Sequence, residues 1–218
     1  GKNDSQYQKA LAADALLKAT PVSAWNDLLL KGSFPDDYRP TLFDFIANEA
    51  LDFYCSGEQA GANPADAFEL SAEGPVLDSV KDFIAWSPVE SAQAPQPFSN
   101  VLRAIHVFQD LLRFHQGDSA PQLAFADTDL RRLMWAWNTA SGESKSKRYE
   151  QALEAFARTY ADFEISARAF HEQASLLMEQ GKRLEAHQMA ERGARLFPAS
   201  PGGKLCRNLI TQLESKSI

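Results

Sequence analysis

Apolar residues along this chain recur at helical spacing. In the clearest stretch, 41–56, they fall at i, i+3, i+4, i+8, i+11 and i+12, namely Leu42, Phe45, Ile46, Ala50, Phe53 and Tyr54. Thr41 and Asp44 have the spacing of a capping box, which predicts that a helix begins there. No run in the sequence alternates apolar and polar positions with β-branched residues, as strands would. The pattern predicts an all-α fold, with about eight to ten helices.

Other stretches show the same periodicity with less definition. We expect an opening helix at 5–19, a long helix at 98–115 and another that follows Thr128. Between them, 57–75 and 87–97 are rich in Gly, Ala, Pro and Ser and predict long connections. We therefore predict that the first part, 5–116, is an irregular helical region.

The last third resembles the tetratricopeptide repeat, a pair of helices that stacks on its neighbours. In the stretch from Ser166 to Ser200, small or turn-forming residues stand at the packing positions of that family: Ala174, Gly181, Ala186, Gly193 and Pro198. Two helices approach closely only where their facing residues are small, which gives this spacing its physical reason. Gln173 and Ala190 depart from the pattern, because larger apolar residues are common there.

A shift of 34 residues toward the N-terminus finds a partial second copy, with Ala140, Ala152 and Phe156 in matching places. Lys147 replaces the turn glycine in this copy. Because two copies alone do not bury a stable stack, we expect the helix that follows Gly203 to cap it. The prediction is one helical domain over 1–218, with an α-solenoid of helical hairpins and its capping helix at 128–214.

Composition and charge exclude some partners. The net charge is −7, which argues against nucleic acid or anionic lipid as the main partner, because both need a basic face. Residues 1–127 carry 18 acidic and 8 basic side chains, whereas residues 128–218 carry 11 and 14, so the second part is the basic one. No apolar run is long enough to span a membrane. The polar start after Gly1, without Met, is typical of a segment excised from a longer chain.

The stretch CSGEQ at 55–59 is similar to the Cys-Gly-Glu-Gln motif that forms an internal thioester. In that motif the glutamine lies three residues after the cysteine, but Ser56 is inserted here and Gln59 lies four residues after Cys55. Cys55 also ends a predicted amphipathic helix, where a cysteine packs as a small apolar side chain. We therefore interpret Cys55 and Gln59 as a decoy, with no thioester between them.

The search for other chemistry gives no complete motif. His171-Glu172 begins like a zinc-protease motif, but Ser175 stands where the second histidine would be. GGK at 202–204 lacks the upstream glycine and the Ser or Thr of a phosphate-binding loop. No nucleophile has a base beside it in the sequence. We expect no enzyme activity, no metal site and no cofactor.

Four phrases, taken in order, resemble the helical region near the N-terminus of large bacterial α2-macroglobulin-like proteins. They are DDYRPTLFDFIANEALDFY (36–54), VFQDLLRFHQGDSAPQLAFADTDLRRLMWAW (107–137), RYEQALEAFARTYADFEISARAF (148–170) and LFPASPGGKLCRNLITQLE (196–214). The resemblance implies an exported protein, periplasmic, in the cell envelope or secreted, whose later domains are β-sandwiches. Proteins of this family resemble protease traps, and their thioester domain lies much further along the chain.

Within such a protease-inhibiting protein, our hypothesis for this segment is a non-catalytic scaffold that packs against the other domains of its own long chain. The small residues at the helix-packing positions, the lack of a catalytic set and the charge difference between 1–127 and 128–218 indicate this role. The resemblance implies proteases as partners of the whole molecule. The alternative is a free-standing tetratricopeptide-like adaptor that binds a peptide of another protein. A reading frame that continues far beyond Ile218 would favour the first, and a stop codon the second.

Overall fold

A computed structural model describes residues 2–28, 36–56, 68–88 and 99–215. These residues confirm an all-helical fold, with ten α-helices and no β-strand among them. The helices are α1 (Lys2–Leu11), α2 (Asp14–Ala19), α3 (Leu42–Cys55), α4 (Val80–Ala85), α5 (Asn100–His115), α6 (Leu123–Thr139), α7 (Lys145–Thr159), α8 (Ser166–Glu179), α9 (Arg183–Leu196) and α10 (Pro201–Ser215). Within the described ranges, no helix combines the length and the apolar character that crossing a membrane requires.

The chain divides into two compact units. Unit 1 comprises Gly1–Leu70 and Ile84–Asp129, and unit 2 comprises Ser71–Phe83 and Leu130–Ile218. The expected division into 5–116 and 128–214 within one domain stays a prediction. The main difference between that division and the two units concerns the segment 71–83. It belongs to unit 2, with the C-terminal helices, and not to the N-terminal part.

In unit 1, α3 packs against α1, α2 and α5. The capping box at its start is present, because Thr41 N donates to Asp44 Oδ2 at 2.9 Å and Asp44 N donates to Thr41 Oγ1 at 3.3 Å. The buried apolar face of α3 consists of Phe43, Ala47, Ala50, Leu51 and Tyr54. The expected stripe thus lies partly at the border of the buried face, since Phe45 and Ile46 are only half-buried.

The opening stretch forms α1 and α2 instead of one helix at 5–19. The break falls at Ala12 and Ala13, where Ala13 N donates to Ala10 O at 3.0 Å. No Gly or Pro marks this position, and nothing in the sequence explains the break. Of the predicted connections, 57–67 and 89–97 lie outside the described residues.

In unit 2, α8 packs against α7, α9 and α10, and α10 also packs against α9. Glycines allow these close approaches. A Cβ on Gly193 in α9 would lie 2.6 Å from Cys206 Sγ in α10 and 3.0 Å from Phe170 Cβ in α8. A Cβ on Gly202 in α10 would lie 2.6 Å from the carbonyl carbon of Ala167 and would overlap Arg168 N, both in α8. The three helices therefore approach one another closely at Gly193 and Gly202, which have no side chain.

The segment 71–79 is held on α6 and α7 by polar contacts. Arg132, which is 1% exposed, donates to the carbonyl oxygens of Val76 at 2.8 Å and Asp78 at 3.2 Å. The Glu73 carboxylate accepts hydrogen bonds from Ser144 N at 3.2 Å and Ser144 Oγ at 2.9 Å. Gly142 has a φ of +140°, and a Cβ there would overlap this carboxylate. The segment is therefore an integral part of unit 2.

The helix bounds do not follow a constant 34-residue repeat. α9 begins 38 residues after α7, at Arg183 compared with Lys145. Gly181, with a φ of +77°, lies in the turn between α8 and α9, whereas the position 34 residues earlier, Lys147, lies inside α7. Gly142 occupies the turn that precedes α7 instead. The two helix pairs therefore differ in register.

Candidate functional site

The candidate site is a groove in unit 2 between α7 and α9. Its volume is about 430 Å³. Since α8 packs against both helices, its side chains form the base. The lining residues are Glu154, Ala157, Arg158 and Ala161 on the α7 side, Phe170 and Gln173 on α8, and Met189 and Arg192 on α9. The groove, named here the α7–α9 groove, combines an apolar base with charged edges.

Small residues in α7 and just after it keep this groove open. Ala157 lies on the buried face of α7, and Ala161 follows the end of that helix. Larger side chains at either position would occupy the space between α7 and α9. The local sequence thus leaves a volume that the core does not fill.

Gln173 is the unusual residue of the groove. It is only 5% exposed, and its Oε1 atom is buried without a hydrogen-bond partner among the described residues. A buried carbonyl oxygen without a donor costs about 1–3 kcal/mol. Such atoms are rare in natural folds, so Gln173 Oε1 is a candidate acceptor for a donor that enters the groove.

The edges of the groove carry more positive than negative charge. Arg158 and Arg192 lie there with Glu154, so two guanidinium groups stand against one carboxylate. The Arg192 guanidinium lies 4.7 Å from the centre of the Phe170 ring, which fixes the charge above an apolar surface. Among the described residues, neither arginine has a carboxylate partner. An acidic group could therefore bind without displacing an existing ion pair.

Unit 1 has a second groove of about 420 Å³, lined by Gln6, Tyr7 and Ala10 of α1 and by Phe45, Ile46 and Glu49 of α3. Burial, together with the charges of Glu49 and Asp52, raises the pKa of Tyr7. No buried polar atom without a partner lines this groove in the described residues. It therefore resembles an ordinary gap between two helices, and the α7–α9 groove is the stronger candidate.

A cluster of ionisable groups surrounds His115 in unit 1. His115 Nε2 lies 2.6 Å from Asp44 Oδ1, and His115 Nδ1 lies 2.7 Å from Asp118 Oδ2. Burial lowers the pKa of His115, but the hydrogen bonds and charges of Asp44 and Asp118 outweigh it, so the pKa is raised overall. Both ring nitrogens donate to these carboxylates only when the side chain is an imidazolium, which is the form that the raised pKa favours. The side chain joins the end of α5 to the first turn of α3, and we interpret the cluster as a structural link.

Tyr149 and Cys206 in unit 2 are also poorly suited to nucleophilic chemistry. Burial, and then the charge of Glu172, raises the pKa of the Tyr149 phenol. The same two causes raise the pKa of the Cys206 thiol to about 11. Both groups therefore stay protonated at neutral pH, where a nucleophile or base would need to lose its proton.

The predicted repeat-packing residues all lie in or beside unit 2 helices, in different roles. Ala174, Ala186 and Phe156 are buried within α8, α9 and α7, and Gly193 lies at the meeting point of α8, α9 and α10. Ala140 is buried after the end of α6, Ala152 is half-buried in α7, Gly181 forms the α8–α9 turn, and Pro198 is exposed after α9. Their shared role in repeat packing stays a prediction, and none of them lines the α7–α9 groove.

The predicted decoy is only partly described. Cys55 is the last residue of α3, is half-buried and forms no disulfide within the described part of the chain. Gln59 lies outside the described residues, so the interpretation that no thioester forms stays a prediction. Cys206 forms no disulfide there either and is buried, with Sγ 3.4 Å from Ala167 O.

Sequence reasoning missed the groove itself. It noted Gln173 only as a polar residue at an apolar position of the repeat, and it did not single out Ala161, Arg158 or Arg192. A polar side chain in a buried stripe was the available signal, but its meaning depended on which neighbours surround it.

No family model, curated protein or solved structure matches this chain. The described residues contain no group of three or more His, Cys, Asp or Glu side chains arranged to hold a metal ion.

Proposed function

We propose that this chain is a non-catalytic helical scaffold that binds a segment of another protein or domain. The observation that carries this proposal is the α7–α9 groove, which has an apolar base, unpaired cationic edges and a buried acceptor without a donor. Grooves between packed helices are a common way to bind peptide segments. A scaffold also agrees with the protonated state of Tyr149 and Cys206 described above.

The proposed architecture of 128–214 is tetratricopeptide-like. Support comes from the packing of α10 against both α8 and α9, because in stacked repeats each new helix packs against the preceding pair. Gly193 and Gly202 at the meeting points supply the small residues that this packing needs. The irregular spacing of the helix starts makes the arrangement a divergent form of the repeat.

We also propose that the scaffold belongs to a larger α2-macroglobulin-like protein that is exported and inhibits proteases. This part of the proposal rests on the resemblance of the four phrases at 36–54, 107–137, 148–170 and 196–214. The segment would then contact other domains of the same chain, in the periplasm, the cell envelope or outside the cell.

The test combines the gene sequence with a binding experiment. We expect the reading frame to continue beyond Ile218 into β-sandwich domains. Those domains, produced separately, should bind this chain in isothermal titration calorimetry. Deletion of residues 1–218 from the full protein should reduce the protection of a test substrate from added protease.

Each result addresses a different part of the proposal. A stop codon at the end of this segment would contradict the larger protein and would favour the free-standing adaptor. A continuing frame with neither association nor loss of protection would contradict the scaffold role.

A further inference from the structure

The α7–α9 groove also specifies the chemistry of its partner, an inference that rests on the proposed scaffold function. We propose that the groove binds a short acidic peptide segment of a partner protein. One apolar side chain of that segment enters between Phe170 and Met189. A neighbouring carboxylate pairs with Arg158 or Arg192, and an N–H group of the segment donates to Gln173 Oε1.

The preference for a hydrogen-bond donor follows from Gln173. Its Oε1 atom is buried, lacks a partner among the described residues and belongs to a side chain that lines the groove. A bound main-chain N–H would remove the cost of this unpaired acceptor. A purely apolar ligand would leave that cost in place, so a peptide fits the groove better than a lipid tail does.

The preference for an acidic segment follows from the edges. Arg158 and Arg192 line the groove, and Glu154 is the one acidic residue among its described lining residues, so the groove is locally positive in a chain whose net charge is −7. Guanidinium groups bind carboxylates in a planar, two-bond geometry. Glu154 and the net negative charge of the chain repel a polyanion such as nucleic acid. A segment with a single carboxylate beside an apolar side chain is repelled much less.

The size of the groove sets the length of the segment. A volume of about 430 Å³ lies near the lower end of ligand sites, which span about 300–1,000 Å³. It accommodates a few side chains and excludes a folded domain. The occupant is therefore a short stretch of chain.

A library of short random peptides displayed on phage, selected on the full chain, tests this directly. We expect the enriched peptides to place Asp or Glu beside Leu, Phe or Met. The best peptide is then synthesised with a fluorescent label, together with a counterpart in which Asn and Gln replace the acidic residues. In fluorescence anisotropy, the neutral counterpart should bind about tenfold more weakly, a loss of about 1.4 kcal/mol.

Two pairs of variants locate the binding. Arg192→Glu should weaken the acidic peptide about tenfold or more, while Arg195→Glu on the same helix, away from the lining, should change it less than about twofold. Ala161→Trp fills the groove and should abolish binding. Ala155→Trp places the same side chain on the exposed part of α7 outside the lining and should leave binding intact.

Gln173→Leu separates binding from folding. The substitution removes the unpaired oxygen while keeping the approximate size of the side chain, so the free energy of unfolding should rise. Binding of the acidic peptide should weaken about fivefold to tenfold, because its N–H loses an acceptor. A variant that is more stable and yet binds less cannot owe its defect to misfolding.

Several results would overturn the groove assignment. They include selection without acidic enrichment, equal effects within either pair of variants, and competition by single-stranded DNA as strong as by unlabelled peptide. If a peptide binds but ignores Ala161→Trp, the scaffold function stands and the groove is wrong. If the groove binds acidic peptides but neither the downstream domains nor protease protection depends on the chain, the scaffold role within the larger protein fails alone.

Discussion

The helices of the two units pack together in different ways. We compare the contact between α3 and α5 in unit 1 with the contact among α8, α9 and α10 in unit 2. In unit 2 the helices meet where Gly193 and Gly202 have no side chain. In unit 1 large apolar side chains such as Phe43 and Phe108 are combined with a buried Asp44–His115 contact. The contact at the two glycines depends on shape, and the contact at Asp44 and His115 depends also on charge.

The difference determines what each region responds to. Close packing of backbones tolerates no added volume but is insensitive to protons near neutral pH. A buried imidazolium between two carboxylates tolerates some change in shape but requires a proton. The two regions should therefore be separable by substitution and by pH.

The largest expected effect is that of Gly202→Ala. The new Cβ would overlap main-chain atoms of Ala167 and Arg168, which cannot move without shifting α8. We expect the free energy of unfolding to fall by about 3 kcal/mol or more, at the upper end for overpacking. Urea unfolding followed by circular dichroism measures the change.

Gly117→Ala is the matched control, because a Cβ there would contact nothing within 4 Å. Its free energy of unfolding should stay within about 1 kcal/mol of the parent protein. Equal losses for the two substitutions would mean that backbone freedom, and not the close approach of α10 to α8, explains the effect.

The next largest effect belongs to His115. Its raised pKa means that its stabilising contribution is fully present below the unfolded value of about 6.5 and is lost as pH rises through the folded pKa. We therefore expect the free energy of unfolding to decline above about pH 6.5, by at most about 1.4 kcal/mol per pH unit. Urea unfolding at a series of pH values from 6 to 8 follows this slope.

His115→Gln provides the comparison for that slope. The variant should lose about 2 kcal/mol at pH 6, because Asp44 keeps its burial without a cationic partner, and its stability should change little between pH 6 and 8. Hydrogen exchange should place the loss in α3 and α5. A decline of equal slope in the variant would exclude His115 as its source.

The comparison also shows which parts of the fold the sequence could predict. The contacts of α3 are partly local: Thr41 and Asp44 are three residues apart, and the capping box was predicted from that spacing. The helical periodicity likewise gave the fold class. The break between α1 and α2 has no local signal, and the dependence of Gly202 on Ala167 joins residues far apart in the chain.

The candidate site was harder to predict for the same reason. Gln173 could be recognised as an anomaly in a buried stripe, but its lack of a donor depends on all of its neighbours. Arg158 and Arg192 belong to different helices and meet at one groove only after folding. Sequence patterns describe one helix at a time, whereas this groove is formed by side chains of three helices, α7, α8 and α9.

A smaller effect should appear in unit 2 at alkaline pH. Burial raises the pKa of Cys206 to about 11, so its stabilising contribution is lost as pH rises from the unfolded value of about 8.5 toward the folded one. We expect a loss of about 1 kcal/mol in the free energy of unfolding by about pH 9.5. Cys206→Ser, which has no thiol to ionise, should lack this decline. If the two proteins decline equally, another group is responsible.

The smallest effect should come from Glu73, whose carboxylate is at the surface of unit 2. Hydrogen bonds from the Ser144 and Ser71 hydroxyl groups and from Ser144 N lower its pKa to about 2. Its contribution is present above the unfolded pKa of about 4.3 and is lost as pH falls through the folded value. Glu73→Gln should therefore lower the thermal midpoint slightly at pH 6 and reduce the further loss between pH 4 and pH 2. Glu143→Gln, an exposed neighbour in the same loop, should behave like the parent protein. If both substitutions flatten the acid response equally, the charge of the loop matters and the link from Glu73 to Ser144 does not. If only Glu73→Gln does so, unit 2 also contains a charge-dependent contact that holds the segment 71–79.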